Sequence, residues 1–239
     1  MICFLTSSTD LPESNHLALN PANHFIDELR WHVSKPCRAL HICSDPDGWE
    51  RMDFFASVLK QSFENAGFRF DRYCILDGRN EARAAELVRE SNFLLLSGGH
   101  VPTQNRFFQK IGLKNLLRGF DGVLVGMSAG SMNCAEEVYA QPEEAGEAVD
   151  PGYQRFLPGL GLTKQNIIPH YQLIKDDVLD GLRVMEDIAY PDSMGRRFLV
   201  LPDGSYLYIK NGREEVRGEA YLLADGTMSQ LSTAVAPRE

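Results

Sequence analysis

Short apolar runs alternate with segments of helical periodicity through the first two-thirds of the chain. The clearest helical segment is Trp49–Ala66, whose apolar residues recur at helical spacing and which is followed by Gly67. The pattern predicts strands at Ile2–Ser7, Ala39–Ser44, Phe68–Leu76, Asn92–Leu96 and Gly122–Val125, and helices at Ala22–His32, Trp49–Ala66, Asn80–Glu90 and Thr103–Arg118. Strands and helices that alternate in this way indicate βαβ units and a largely parallel sheet.

The pattern changes after the strand at Gly122–Val125 and the helix that we expect to follow it, to about Tyr139. Ala140–Leu162 is rich in Pro, Gly and acidic residues and predicts a long ordered loop. A short strand at Lys164–Pro169 and a helix at Leu173–Tyr190 follow, and then four strands with hairpin turns at Asp203-Gly204, Asn211-Gly212 and Asp225-Gly226. The predicted fold is an α/β three-layer sandwich with a largely parallel central sheet and C-terminal β-hairpins, in one domain spanning 1–239.

Composition and charge exclude several classes of function. Lys and Arg total 24 against 33 Asp and Glu, and a net charge of −9 disfavours a nucleic-acid partner. The five cysteines form no CxxC pair, which favours buried free thiols in a reducing compartment. The N-terminus lacks the charge of a signal peptide, and no apolar run reaches the roughly 20 residues of a membrane helix. We therefore expect a cytoplasmic protein that binds neither nucleic acid nor a membrane.

Residues 126–130 read Gly-Met-Ser-Ala-Gly and follow a short apolar strand. A strand that meets Gly-x-Ser-x-Gly and then a helix is typical of a nucleophile elbow, in which a strained turn holds the central side chain clear of the backbone. Ser128 is therefore the candidate nucleophile. A plain strand-to-helix turn with an N-capping serine is the alternative.

A serine nucleophile needs a base and an acid that orients the base. His170 follows a strand that ends in Pro169, where a parallel sheet presents functional side chains, and it is the preferred base; His100 is its rival. For the acid we prefer Glu147, with Glu144 second, although an acidic run of this kind is commonly just a solvated surface. The backbone N–H groups of Ala129 and of Gly98-Gly99 are candidate oxyanion donors.

These residues resemble the dipeptidase E and cyanophycinase family of serine peptidases, which have the class I glutamine amidotransferase-like fold. The matching segments are Leu96-Ser97-Gly98-Gly99, Gly126-Met127-Ser128-Ala129-Gly130, Val149-Asp150-Pro151, Gly159-Leu160-Gly161-Leu162, Ile168-Pro169-His170-Tyr171 and Leu201-Pro202-Asp203-Gly204-Ser205. The resemblance implies that Ser128 is the nucleophile, His170 the base and Gly99 and Ala129 the oxyanion hole, with the acid in the intervening loop. It also implies cleavage of peptide bonds near an aspartyl residue, without a metal or other cofactor.

One departure concerns the substrate. Dipeptidase E has an arginine-containing segment after the histidine that is linked to binding an N-terminal Asp, whereas this chain reads Lys-Asp-Asp-Val-Leu-Asp at 175–180. The expected partner is a small peptide or isopeptide substrate, and a homodimer is left open.

Three other functions remain as alternatives. An esterase of the α/β-hydrolase class also uses Gly-x-Ser-x-Gly, but its histidine comes later in the chain. A glutamine amidotransferase would carry Cys where this chain has Ser128. A non-catalytic or regulatory protein could keep the fold with a displaced acid.

Overall fold

The structure, a computed structural model, describes residues 1–231 of the chain. Its strands are β1 (Ile2–Thr6), β2 (Arg38–Ile42), β3 (Arg72–Leu76), β4 (Phe93–Leu96), β5 (Val123–Met127), β6 (Glu137–Tyr139), β7 (Phe156–Pro158), β8 (Asn166–Ile168), β9 (Val178–Leu179), β10 (Leu182–Arg183), β11 (Arg197–Val200), β12 (Tyr206–Lys210), β13 (Arg213–Arg217), β14 (Tyr221–Ala224) and β15 (Thr227–Gln230). Its α-helices are α1 (Phe25–His32), α2 (Trp49–Asn65), α3 (Ala84–Glu90), α4 (Val101–Lys110), α5 (Leu113–Leu116), α6 (Ala129–Met132), α7 (Tyr171–Ile174) and α8 (Tyr190–Asp192). Short 3₁₀ turns lie at Pro12–Ser14, Ala22–His24, Glu81–Arg83 and Leu117–Gly119, and a π-helical turn lies at Val184–Ala189.

The central sheet has seven strands in the order β13-β12-β1-β5-β4-β2-β3. The five strands from β1 to β3 in that order are parallel, and β12 and β13 extend the sheet in antiparallel fashion. The predicted α/β class with a largely parallel sheet and C-terminal antiparallel strands is confirmed. Because all five parallel strands point the same way, their carboxyl ends share one edge, where β4 leads into Gly98-Gly99 and β5 into Ser128.

Helices cover both faces of this sheet, which makes three layers. On β1, Cys3 and Leu5 pack on the face covered by α3 and α4, whereas Phe4 packs on the face covered by α1 and α2. The alternation follows from the two-residue period of a strand. With both faces buried, the central strands are apolar at nearly every position, and this is why they stand out in the sequence.

A second sheet has the order β15-β14-β11-β8. Its strands β8 and β11 are parallel, with Ile168 opposite Val200. Asp203-Gly204 leads from β11 into β12, so the hairpin predicted at this turn is wrong: the two strands belong to different sheets. The hairpins predicted at Asn211-Gly212 and Asp225-Gly226 are confirmed, and all four turn residues have positive φ, as type I′ turns require.

Two predicted helices are wrong. The helix after Ser128 ends at Met132, because the carbonyls of Asn133, Cys134 and Ala135 accept hydrogen bonds from residues 160–162 instead. The segment Leu173–Tyr190 is broken by Asp180-Gly181, whose φ values of +53° and +82° form the turn of the β9–β10 hairpin.

Two other segments differ in detail. The helix predicted at Thr103–Arg118 is interrupted at Gly112, where φ is +65°. The predicted loop Ala140–Leu162 contains β7, which pairs with β6. Within residues 1–231, none of the helices has the length and apolar character needed to cross a bilayer.

The contact between β4 and α6 leads to a stability prediction. A Cβ on Gly130 would lie 2.4 Å from the Leu96 carbonyl oxygen, whereas a Cβ on Gly119 would meet nothing within 4 Å. We expect Gly130→Ala to lower the free energy of unfolding by about 2 kcal/mol, since the strand and helix must separate. Gly119→Ala is the matched control and should change it by less than about 0.5 kcal/mol in urea titrations. Equal effects of the two substitutions would contradict this account of the contact.

Candidate active site

Ser128 occupies the sharp turn between β5 and α6. Its φ of +50° and ψ of −114° are rarely adopted by a non-glycine residue. The Ser128 N–H donates to the Thr6 carbonyl, its own carbonyl accepts from Ser131 and Met132, and its hydroxyl makes no capping hydrogen bond with α6. The side chain is therefore partly exposed and available, which disfavours the N-capping alternative.

The turn needs glycine on either side of the serine. A Cβ on Gly126 would lie 2.9 Å from the Ser131 backbone, and the Gly130 contact with Leu96 is closer still. Residues 126 and 130 therefore have to be glycine for α6 to start directly at the strand end.

His170 lies just beyond the end of β8 and also has a positive φ, of +56°. Its Nδ1 is 2.7 Å from Asp203 Oδ1, and the Ser7 hydroxyl donates to the same oxygen at 2.7 Å while accepting from the His170 N–H. These contacts fix the imidazole with Nδ1 toward the carboxylate and leave Nε2 on the opposite side of the ring.

Asp203 is largely buried beside His170, with 12% of its side chain exposed. Burial by itself raises the pKa of this carboxyl, but hydrogen bonds from His170 and Ser7, together with the charge of His170, outweigh it and hold the pKa below its ordinary value. Asp203 is thus a carboxylate at neutral pH and can stabilise a protonated His170.

The sequence-based choice of the acid is corrected by this geometry. Glu147 does not contact His170: its Oε1 lies 2.8 Å from His100 Nε2, and its Oε2 accepts from the N–H groups of Glu143 and Glu144. Glu144, the second choice, is exposed. His100, the rival base, is held by Glu147 and Thr103.

Sequence reasoning missed Asp203 because it placed the acid between the serine and the histidine. The available signal was the segment Leu201-Pro202-Asp203-Gly204-Ser205, which was interpreted as a hairpin turn and as one of the segments that match the family, with no catalytic role for Asp203. It parallels Ile168-Pro169-His170, since both run from a strand end through proline to a polar side chain.

Backbone donors face the region of Ser128. Within the described residues, the N–H groups of Gly99 and Ala129 donate to no protein acceptor. Gly98 lies close to the serine, since a Cβ on it would be 3.5 Å from the Ser128 Cβ. Gly99 has a φ of +143°, and a Cβ there would collide with Ser44 Oγ. Free N–H groups at a helix N-terminus and in a glycine turn suit an oxyanion.

Buried polar groups hold the Gly98-Gly99 turn in place. Gln104 donates to the Ser97 carbonyl at 2.7 Å and accepts from Asn133 at 3.0 Å, which ties the end of β4 to the segment after α6. The Ser97 hydroxyl also hydrogen-bonds His41 Nε2, and the Tyr73 hydroxyl hydrogen-bonds His41 Nδ1. Burial lowers the pKa of His41 to about 4, so this ring is neutral and structural rather than a second base.

Two cavities open at Ser128 and His170. The first, of about 410 Å³, extends over Met127 and the α2 residues Met52, Phe54, Phe55, Val58 and Leu59; we call it the apolar cavity. The second, of about 540 Å³, lies on the other side and is bordered by Glu143 and Asp177; we call it the acidic cavity. Both cavities are lined by Gly99, Ser128 and His170. An extended ligand that passes over the serine would therefore reach into both cavities.

His100, Glu144 and Glu147 are close enough for one atom of each to contact a single metal ion. The donor atoms of His100 and Glu147 are already in use, however, because the two side chains bond each other and the second Glu147 oxygen accepts two backbone N–H groups. These contacts indicate that His100 and Glu147 hold the loop in place rather than bind a metal ion.

Comparison with known proteins identifies the family. The profile described as peptidase family S51 matches residues 6–216. The fold is similar to a solved structure from Listeria monocytogenes EGD-e, described as a candidate peptidase E protein, with a TM-score of 0.56 and 15% sequence identity over 97% of this chain and 98% of that one. Among curated proteins, no sequence matches this chain. Because the family profile spans most of its length, the chain belongs to peptidase family S51.

Proposed function

We propose that this protein is a serine peptidase that hydrolyses short peptides or isopeptides through an acyl-enzyme on Ser128. The observation that carries the proposal is that Ser128 and His170 line the same two cavities while Asp203 bonds His170 Nδ1. Membership of peptidase family S51 supports the reaction class.

In the proposed first step, Ser128 Oγ attacks the carbonyl carbon of the scissile bond while His170 Nε2 accepts the hydroxyl proton. Asp203 holds the Nδ1 proton and stabilises the imidazolium that forms. The N–H groups of Gly99 and Ala129 would bind the oxyanion of the tetrahedral intermediate. His170 then gives its proton to the leaving amine, and the acyl group stays on Ser128.

In the second step, water attacks the acyl-enzyme and His170 Nε2 removes a proton from it. The tetrahedral intermediate collapses, the Ser128 oxygen leaves, and His170 returns the proton to that oxygen. The atoms balance with one water consumed for each bond cleaved, and the chemistry uses this chain's own residues.

The remaining alternatives are less well supported. A cysteine-based amidotransferase needs a reactive thiol at the turn, and the nearest one in sequence, Cys134, is buried with a pKa raised well above its ordinary value, first by desolvation. A non-catalytic protein would not need a buried ionised carboxylate aligned on a histidine beside a strained serine.

Ser128→Ala should abolish hydrolysis, to below about one-thousandth of the wild-type kcat/KM, without changing the fold. The check is a fluorophosphonate active-serine probe combined with a peptide-library digest read by mass spectrometry. Labelling that persists in Ser128→Ala would rule out this nucleophile. Turnover of esters with no cleavage of any peptide would favour the esterase alternative.

Asp203→Asn and Glu147→Gln separate the two candidate acids. We expect Asp203→Asn to lower kcat by about 10²–10⁴-fold, because the amide no longer orients or stabilises the imidazolium. Glu147→Gln should lower kcat by less than about tenfold, since Glu147 contacts His100 rather than His170. The reverse order of effects in steady-state kinetics would restore Glu147 as the acid.

A further inference from the structure

We infer that Ser7 is a positioning residue of the active site, whose hydroxyl group sets the orientation of both His170 and Asp203. The inference rests on the proposed function for the reaction in which His170 accepts the proton of Ser128. It adds a fourth side chain to the proposed nucleophile, base and acid. That side chain acts through hydrogen bonds to the base and the acid rather than through contact with the substrate.

Ser7 directly follows β1, at the carboxyl edge of the central sheet. The residue is 0% exposed, and it lines the apolar cavity together with Ser128 and His170. Its N–H donates to the carbonyl of Ser205, just before β12, at 3.1 Å. The backbone of Ser7 is therefore fixed by the pairing of β1 with β12, and its hydroxyl has a defined position beside the second sheet.

The hydrogen bonds of Ser7 leave one arrangement for its proton. Its oxygen accepts from the His170 N–H at 2.7 Å and lies 2.7 Å from Asp203 Oδ1. An ionised carboxylate can only accept a hydrogen bond, so the single hydroxyl proton has to point to Asp203. The same carboxylate oxygen contacts His170 Nδ1, which must then also carry a proton. Ser7 thus orients the carboxylate that keeps the imidazole proton on Nδ1 and leaves Nε2 able to accept one.

Adjacent residues at the end of β1 hold the nucleophile and the base. The Thr6 carbonyl accepts from the Ser128 N–H at 3.1 Å, and the Ser7 hydroxyl accepts from the His170 N–H. The backbones of Ser128 and His170 are thus attached to neighbouring positions on one strand. Loss of the Ser7 hydroxyl would release His170 from that strand, and a displacement of about 1 Å between reacting groups can lower a rate by about 100-fold.

The Ser7 hydroxyl also favours the ionised form of Asp203. Burial raises the pKa of this carboxyl, but hydrogen bonds from His170, Ser7 and Gln172 and the charge of His170 outweigh burial and hold the pKa below its ordinary value. Without the hydroxyl the pKa of Asp203 should rise, and a larger fraction of Asp203 would be protonated as the pH falls. Protonated Asp203 cannot stabilise the imidazolium, so the loss of Ser7 should cost more activity at low pH.

The test compares Ser7→Ala with Ser193→Ala. Ser193 is also 0% exposed, and its hydroxyl likewise accepts from one backbone N–H, that of Gly226, and donates to one oxygen, the Tyr190 carbonyl. It follows α8 and lines neither cavity. Both substitutions should lower the midpoint of urea unfolding to a similar extent. Ser7→Ala alone should lower kcat, by about 10- to 100-fold, with KM changed by less than about threefold.

The pH profile separates positioning from a loss of folded protein. The ratio of kcat/KM for Ser7→Ala to that of the wild type should be at least about threefold smaller at pH 5.5 than at pH 8. The ratio for Ser193→Ala should be the same at both values. The other titratable residues that line the two cavities are Asp10, His16, His41, Glu143 and Asp177. They are unchanged in both variants, and comparison as a ratio to the wild type removes their contribution.

Ser7→Thr and Ser7→Val form an isosteric pair that differs in the hydroxyl group. The steric cost of the added methyl group at this buried position is common to both. Ser7→Thr should retain a kcat at least about tenfold higher than that of Ser7→Val, since one variant keeps the hydrogen bonds. Equal kcat values for the two folded variants would show that the shape of Ser7 matters and not its hydrogen bonds, and would overturn the inference.

A measurement on the resting protein separates this inference from the proposed function. ¹⁵N NMR of the imidazole rings reports which nitrogen carries the proton, and His170→Gln assigns the signals of His170. At pH 8 we expect the Nδ1–H tautomer in the wild type and a mixture of tautomers in Ser7→Ala.

This NMR result, without labelling by the fluorophosphonate probe or cleavage of any peptide, would sustain the role of Ser7 and overturn the serine peptidase. Cleavage by the wild type together with a kcat of Ser7→Ala within about threefold of the wild-type value would overturn the inference and leave the peptidase standing. An equal loss of kcat in Ser193→Ala would likewise overturn the inference alone.

Discussion

The parallel pairing of β8 with β11 is the constraint on which the site depends. A proline and then a polar residue follow each strand, directly after β8 and one residue later after β11, so the pairing places His170 beside Asp203. Ser7, at the end of β1, bonds both of them and so links the second sheet to the central one. Ser128 directly follows β5, the strand next to β1, so contacts between two sheets set the relative positions of the proposed nucleophile and base.

Two of the nine described non-glycine residues with positive φ lie at this site. Ser128 and His170 both have positive φ without being glycine, at a cost of order 1–3 kcal/mol each. Such conformations persist only where the surroundings over-determine them. At Ser128, the buried strands on either side and the close contact between Gly130 and Leu96 hold the turn in its strained conformation.

The proposed reacting groups and the carboxylates that border the acidic cavity come from different parts of the chain. The proposed reacting groups lie at strand ends, where the backbone is rigid. The carboxylates of the acidic cavity come from the loop after β6 and from the segment between α7 and β9. Two acidic residues of the loop after β6 have different contacts. Glu147 holds the loop by bonding His100, and Glu143 lines the acidic cavity. A change in the loop can alter the charge at the cavity without moving the strand ends.

The sequence alone determined the α/β class, the parallel sheet, and Ser128 and His170 as candidates, because these depend on local patterns: apolar runs, a Gly-x-Ser-x-Gly turn and a proline-terminated strand. Only the tertiary structure decided which carboxylate meets His170. Asp203 and Glu147 are both acidic residues in turn-rich segments, and local sequence does not distinguish them. The choice depends on which strand pairs with β8, a contact between distant parts of the chain that no local periodicity encodes.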